Sequence, residues 1–313
     1  MIAIFSIILI VLGLCLFETV NSIDNAIINA QVLSTMRKKY RRWFLIWGII
    51  FAVFVVRGLL PWIIVWVTNP SLGPIKAFTA AFSNNPEVIQ AIELSSPILL
   101  MGGGVFLLFL FIHWFIIERK FIFKGKEILF KRKIWFFIIA FLFLVLIIFF
   151  TIRINPVITI SAIIGSLVFS ISQGFKHNAE RTQKSLTRKR FSDVSKILYL
   201  EVLDASFSID GVLGAFAFTL SVPLIILGNG LGAFVVRQFT VGNIDRIKKY
   251  IYLKNGAMYS ILFLGIIMIM NGFGFDAPEW LSPVVTFLIV GYFYYKSKRH
   301  IKVQELKRAF GKK

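Results

Sequence analysis

Glu18, Asp24, Asp204 and Asp210 are acids set in stretches otherwise rich in Ile, Leu, Phe and Val. They come as two matched pairs. Glu18-Thr19-Val20-Asn21-Ser22-Ile23-Asp24-Asn25 aligns without a gap on Asp204-Ala205-Ser206-Phe207-Ser208-Ile209-Asp210-Gly211. Each copy reads acid, five residues, Asp, with Ser-Ile before the Asp. Carboxylates backed by the amides of Asn21 and Asn25 and the hydroxyl of Ser208 form a hard oxygen donor set. Such a set suits Mn²⁺, Ca²⁺ or Mg²⁺ better than Zn²⁺ or Cu⁺. The chain adds no soft or imidazole cluster to it: Cys15 is the single cysteine, and His113, His177 and His300 stand far apart. No nucleophile elbow, Ser/His/Asp arrangement or nucleotide loop is evident, so an enzyme is not expected.

Charges in apolar segments need a counterweight, because each Asp near the centre of a membrane helix costs roughly 2.5–3.5 kcal/mol before pairing. Two arginines are the expected partners. Phe54-Val55-Val56-Arg57 recurs as Phe234-Val235-Val236-Arg237, and a glycine stands nine residues before each arginine, at Gly48 and Gly228. Glu201, three residues before Asp204 and on the same helical face, extends the site or lines its mouth. The bland alternative is that the acids merely neutralise Arg57 and Arg237 and hold helices together. Four or five acids against two arginines leave excess negative charge, which favours a functional reading.

The elements that carry these residues are membrane helices. Of the 313 residues 58% are hydrophobic and only 16% charged, and the mean hydropathy is +0.81. A soluble chain of this size has too little interior for so much Phe, Ile and Leu, and several apolar runs approach the roughly 20 residues that cross a bilayer. We read about nine spans, at 3–33, 43–66, 91–117, 134–151, 156–175, 197–220, 222–241, 250–270 and 281–296. The net charge of +20 does not point to nucleic acid, because the basic residues come in short bursts between apolar runs. With the N-terminus outside, the inner connections collect all but five of the 35 Lys and Arg, including seven between Lys176 and Lys196. The positive-inside rule therefore places the N-terminus outside and the C-terminus in the cytoplasm.

The expected fold class is an all-α polytopic membrane protein of two inverted three-helix repeats plus extra helices. The first repeat would occupy 1–117, two additional helices and a basic cytoplasmic linker 118–196, the second, inverted repeat 197–270, and a ninth helix with a basic tail 271–313. Inverted repeats bring equivalent motifs together near the bilayer centre, as in many secondary transporters, so the four acids should converge at mid-depth. On an unbroken helix, positions six apart differ by about 240° in rotation and about 9 Å in height, so Glu18 and Asp24 cannot face one ion together. Either different helices contribute the acids or the helices unwind at the motifs. The Gly102-Gly103-Gly104 and Gly228-Asn229-Gly230-Leu231-Gly232 runs read as close helix packing.

Phe17-Glu18-Thr19-Val20-Asn21-Ser22-Ile23-Asp24-Asn25-Ala26 and Glu201-Val202-Leu203-Asp204-Ala205-Ser206-Phe207-Ser208-Ile209-Asp210-Gly211 resemble the signature segments of TerC-like integral membrane proteins. Closest in look is a nine-span branch carried as a family of unknown function, related to the LysE-type exporter superfamily. The resemblance implies metal-ion homeostasis, usually manganese export across the bacterial inner membrane, an association with tellurite resistance, and a metal site at Glu18, Asp24, Asp204 and Asp210. It also marks departures: where relatives carry histidines near the starts of the third helices, this chain has Ser96 before Pro97 and Asn255 before Gly256. The expectation is a divalent cation exporter, with Mn²⁺ foremost, in which closely spaced acids could trade protons for the ion. The metal is cargo, no cofactor is tightly bound, and membrane lipid is the surrounding partner. The competing expectations are a membrane scaffold or sensor docking proteins through its basic loops, or an exporter of an amino acid or other small organic cation.

Overall fold

In the computed structural model, the structure describes residues 2–51, 57–68, 70, 73–80, 86–118, 126–186, 191–242 and 249–310. Among these the chain is helical throughout, with no strand. The helices are α1 (Ile2–Asn21), α2 (Ile23–Ser34), α3 (Lys38–Ile50), α4 (Arg57–Thr68), α5 (Gly73–Ala80), α6 (Pro86–His113), α7 (Lys126–Thr151), α8 (Pro156–Leu186), α9 (Asp193–Ala215), α10 (Val222–Gly242), α11 (Leu253–Gly272) and α12 (Leu281–Phe310). A π-helical turn, Trp114–Glu118, closes α6.

Local chemistry sets several of these boundaries. Ser192 caps α9 by accepting a hydrogen bond from the Ser195 N–H at 3.1 Å, which satisfies one of the donors a helix start leaves open. Pro156 stands first in α8, where its missing N–H does no harm, and the Asn155 side chain accepts from the Val157 N–H at 2.8 Å. The sharp α7–α8 turn is closed by Thr159, whose hydroxyl donates to that of Thr151 at 2.9 Å.

Among the described residues five segments are long and apolar enough to cross a membrane: Ile4–Asn21, Leu94–Glu118, Lys133–Thr151, Pro156–Asn178 and Leu253–Gly272. They overlap five of the expected spans. The other four expected spans lie largely on helices where described, yet α3, α4, α9, α10 and α12 do not combine the length and hydropathy of the five. On α7 the large side chains Phe137, Phe141, Leu142 and Phe149 are exposed. An apolar face of that size is stable only against lipid, so this is a multi-pass membrane protein. The single first span expected over 3–33 is instead two helices that meet at Ser22.

The core centres on α6, where every residue from Val105 to Ile112 is buried. Lipid tails are as apolar as leucine, so close packing rather than hydrophobicity holds such helices together, and small residues mark the contacts. The expected glycine runs do this. A side chain on Gly104 would meet the Gly265 carbonyl oxygen of α11 at 3.0 Å, and one on Gly228 would meet Leu14 of α1 at 2.5 Å. Gly165 of α8 is tighter still, since its Cβ would strike the backbone of Gly102, with the carbonyl carbon at 2.8 Å and Cα at 3.0 Å. Backbone cannot swing aside. Gly165→Leu should therefore force α6 and α8 apart and destabilise the protein by about 1–3 kcal/mol or more, read as a lower midpoint of thermal unfolding in detergent.

Candidate functional site

Four acids are buried among the described side chains: Glu18, Glu201, Asp204 and Asp210. They form two groups, and α9 carries part of each. The α9 helix runs unbroken from Asp193 to Ala215. At the other motif the chain only bends, because Ser22 N–H still donates to the Glu18 carbonyl at 3.0 Å and Ala26 N–H to the Ser22 carbonyl at 2.9 Å. Neither motif is unwound, so different helices contribute the acids.

The first group surrounds Arg237 of α10. Its guanidinium reaches Glu201 at 3.4 and 3.5 Å and Asp204 at 3.4 Å. It also donates to the Phe44 carbonyl at 2.9 Å and lies over the Phe44 ring at 4.4 Å. Asn25 of α2 donates from Nδ2 to Asp204 at 2.6 Å. The repeated glycine is part of this contact, since a Cβ on Gly48 would run into both the Glu201 carboxylate and the Arg237 guanidinium. Arg237 thus pairs with α9 acids, in keeping with its motif. Glu201, read as an extension of the site or a mouth residue, is one of its two partners.

The second group surrounds Asp210. Its partner is not an arginine but Lys176 of α8, whose ammonium donates to Asp210 Oδ2. Both side chains are about nine-tenths buried, at 10% and 8% exposure. This corrects the sequence reading, which counted Lys176 among the basic residues of a cytoplasmic connection; it lies just beyond the apolar run and its helix continues to Leu186. Glu18 of α1 packs against Gly211, the neighbour of Asp210, at a point where a Cβ would collide with its carboxylate. Ser22 donates to Glu18 at 2.8 Å, and Asn21 Nδ2 would be 3.8 Å from the same Cβ. Asn229 of α10, fully buried, donates to the Gly211 carbonyl at 3.5 Å.

Asp24 lies in α2 and Arg57 begins α4, but their side chains lie outside the described residues, so the structure describes neither member's pairing. Ser208 spends its hydroxyl on the Asp204 carbonyl at 2.8 Å, the back-bond typical of a helical serine. Among the described residues no three His, Cys, Asp or Glu side chains stand close enough to share a metal ion.

Glu18 stands three residues before Asn21, where its apolar window ends, and Lys176 two before Asn178, where its own ends. Both meet the Asp210–Gly211 level of α9. Glu118 closes a third window. It accepts from Lys254 at 2.9 Å and faces His113 at 3.7 Å, a contact the isolation of His113 in the sequence did not announce.

At the start of α9, Arg37 donates to Asp193 at 2.9 Å. That hydrogen bond holds the Asp193 carboxyl below its ordinary value. A depressed carboxylate contributes stability above its unfolded value and loses it as pH falls through the folded one. The pair is exposed and its effect small. Wild type and Arg37→Gln should therefore differ slightly in thermal unfolding at neutral pH and converge once pH falls well below the ordinary aspartate value of 3.8.

A family model described as a protein of unknown function, DUF475, matches residues 23–303, which include the second acidic motif whole and the first from Ile23 onward. No curated protein and no solved structure matches the chain.

Proposed function

We propose that this chain, which belongs to the DUF475 family, is a transporter that exports a divalent metal cation, Mn²⁺ foremost, from the bacterial cytoplasm across the inner membrane. The observation that carries the reading is the meeting of the two acidic motifs. Glu18 of the first copy lies buried against Gly211, beside Asp210 of the second. Two carboxylates kept in an apolar protein at considerable expense default to a role in moving ions or protons.

In the arrangement described, Lys176, Arg237, Asn25 and Ser22 engage these acids. A cation would reach them by exchange during a rocking of one helix unit against the other. The proposed ligands are Glu18, Asp24, Asp204 and Asp210, and the acids would trade protons for the ion. The chemistry is transport, without a catalytic step, and the metal is cargo rather than cofactor.

The finer architecture belongs to the same proposal: nine crossings, N-terminus outside, and three-helix units over 1–117 and 197–270 in inverted orientation. A reciprocal contact supports it. Gly48 of α3 meets Glu201 of α9, and Gly228 of α10 meets Leu14 of α1, so the glycines that precede the two arginines each touch the motif helix of the opposite unit. The TerC-like look of the motifs, with its link to manganese and tellurite resistance, is consistent with this reading.

The test is Mn²⁺ flux in proteoliposomes with a Mn²⁺-sensitive dye inside, with and without a pH gradient. Flux that responds to the gradient supports exchange for protons. Absence of flux for Mn²⁺, Ca²⁺ and Mg²⁺ under any gradient would overturn the reading and favour a scaffold or an organic substrate.

A further inference from the structure

Lys176 does more than neutralise Asp210, and what it does depends on oxygens around the pair. Asp210 Oδ1 is buried and accepts no hydrogen bond, while Oδ2 takes the ammonium. Ser172 precedes Lys176 by one turn of α8, is 2% exposed, and its hydroxyl also has no hydrogen-bond partner. Asn229, which faces the Gly211 carbonyl with its amide nitrogen, leaves its Oδ1 equally unengaged. Buried polar atoms are normally satisfied. Three buried oxygens are left open: one on Asp210 itself, one on Ser172 a turn before Lys176, and one on Asn229, whose amide reaches the residue next to Asp210; from α8, α9 and α10 they offer a donor set for a hard cation.

We infer that Lys176 is a tethered counter-cation: it occupies the cation position at Asp210 when no ion is bound, and a divalent cation binds Asp210, Ser172 and Asn229 by displacing it. The identity of the cation as transported cargo rests on the function proposed above, but the displacement itself does not.

The two buried cations of the site differ in the way this requires. Arg237 is fixed by two carboxylates, a carbonyl and a ring. Its planar fork suits the firmer pairing, whereas a lysine ammonium is a point charge on a flexible stem. Lys176 stands two residues from Asn178, where the apolar window ends, so its stem can carry the charge out toward the polar interface, as lysines near helix ends do. The carboxylate is then never left bare. A returning ammonium helps expel the ion, so the same residue that weakens binding speeds release.

Such self-occupancy lowers apparent affinity by the fraction of time the site is free; a site free one part in ten to one in a hundred is weakened about tenfold to a hundredfold. Mn²⁺ binding to the purified full chain in detergent, measured by titration calorimetry, tests this. Lys176→Met and Lys176→Gln should bind Mn²⁺ about tenfold to a hundredfold more tightly than wild type, and their flux in proteoliposomes should fall even as binding tightens. A structural lysine would lower both. Binding no tighter than wild type in folded variants, or no binding at all, overturns the inference.

A second measurement needs no variant. Amine-reactive labelling of the wild type, read by mass spectrometry at Lys176, should rise several-fold when saturating Mn²⁺ is present, and unchanged labelling overturns the inference. The two readings separate cleanly: wild-type flux tests transport, whereas tight Mn²⁺ binding by Lys176→Met without wild-type flux would uphold displacement and sink transport.

Discussion

Asp210→Asn abolishes Mn²⁺ flux into proteoliposomes and leaves the protein folded in the membrane: this is the expected result if the buried carboxylate binds the ion. The amide keeps the shape of the side chain and removes its charge. Removing only an outer-shell partner of a metal ligand commonly lowers affinity or activity about 10–100-fold, so losing a coordinating carboxylate should exceed a ~100-fold loss. The fold should survive because Lys176, freed of its partner, stands close enough to the end of its apolar window to reach the interface. The change therefore does not strand a charge. Asp24→Asn should behave likewise if the first motif contributes its aspartate. Normal flux in both variants would remove these residues from the transport site, whatever the wild type carries.

Arg237→Met should instead be a stability variant, with a large effect. The guanidinium serves two buried carboxylates, Glu201 and Asp204, which are 9% and 10% exposed as side chains. Taking away one partner of a buried pair leaves an uncompensated charge and typically costs about 3–5 kcal/mol. Here two buried carboxylates lose the guanidinium at once, and neither has a long stem to withdraw on. Asn25 still donates to Asp204, but a neutral donor does not replace a cation. Gly48 packs directly on the pair, so little room exists for water to enter and screen it.

Reversible unfolding in detergent should show a loss of that size for Arg237→Met and partial recovery when Glu201→Gln is added, since the second change removes one of the two charges that faced the guanidinium. A loss under about 1 kcal/mol, the range of exposed pairs, would mean the cluster is wetter and less important than its burial implies. The contrast with Asp210→Asn is diagnostic. One variant should lose function and keep its fold, the other should lose stability first.

Much of this protein is legible in residue types and their spacing, and the reasons are local. Helical class and membrane residence follow from apolar runs and composition, because backbone groups in lipid have no partner but one another. The acidic motifs, the paired Phe-Val-Val-Arg segments and the glycine packing runs stand out because each depends on residue types at fixed spacing. The same spacing names Arg57 and Arg237 as partners for the acids without saying which acid each meets, and it marks the glycines as contact points.

What the sequence does not reveal is which face meets which neighbour and at what height. Lys176 lies 34 residues from Asp210, and Arg237 lies 193 from the Phe44 carbonyl it donates to. A 3.6-residue period marks the face of a helix but not the helix it will face. Lys176 looks like one more topological charge because it follows an apolar run; only the packing of α8 on α9 turns it inward. The height at which the acids meet is hidden for the same reason. Spacing within α1 and α9 is a property of the chain, whereas their relative sliding, and with it the level of Glu18 against Gly211, is decided by how glycine-lined surfaces of different helices fit together.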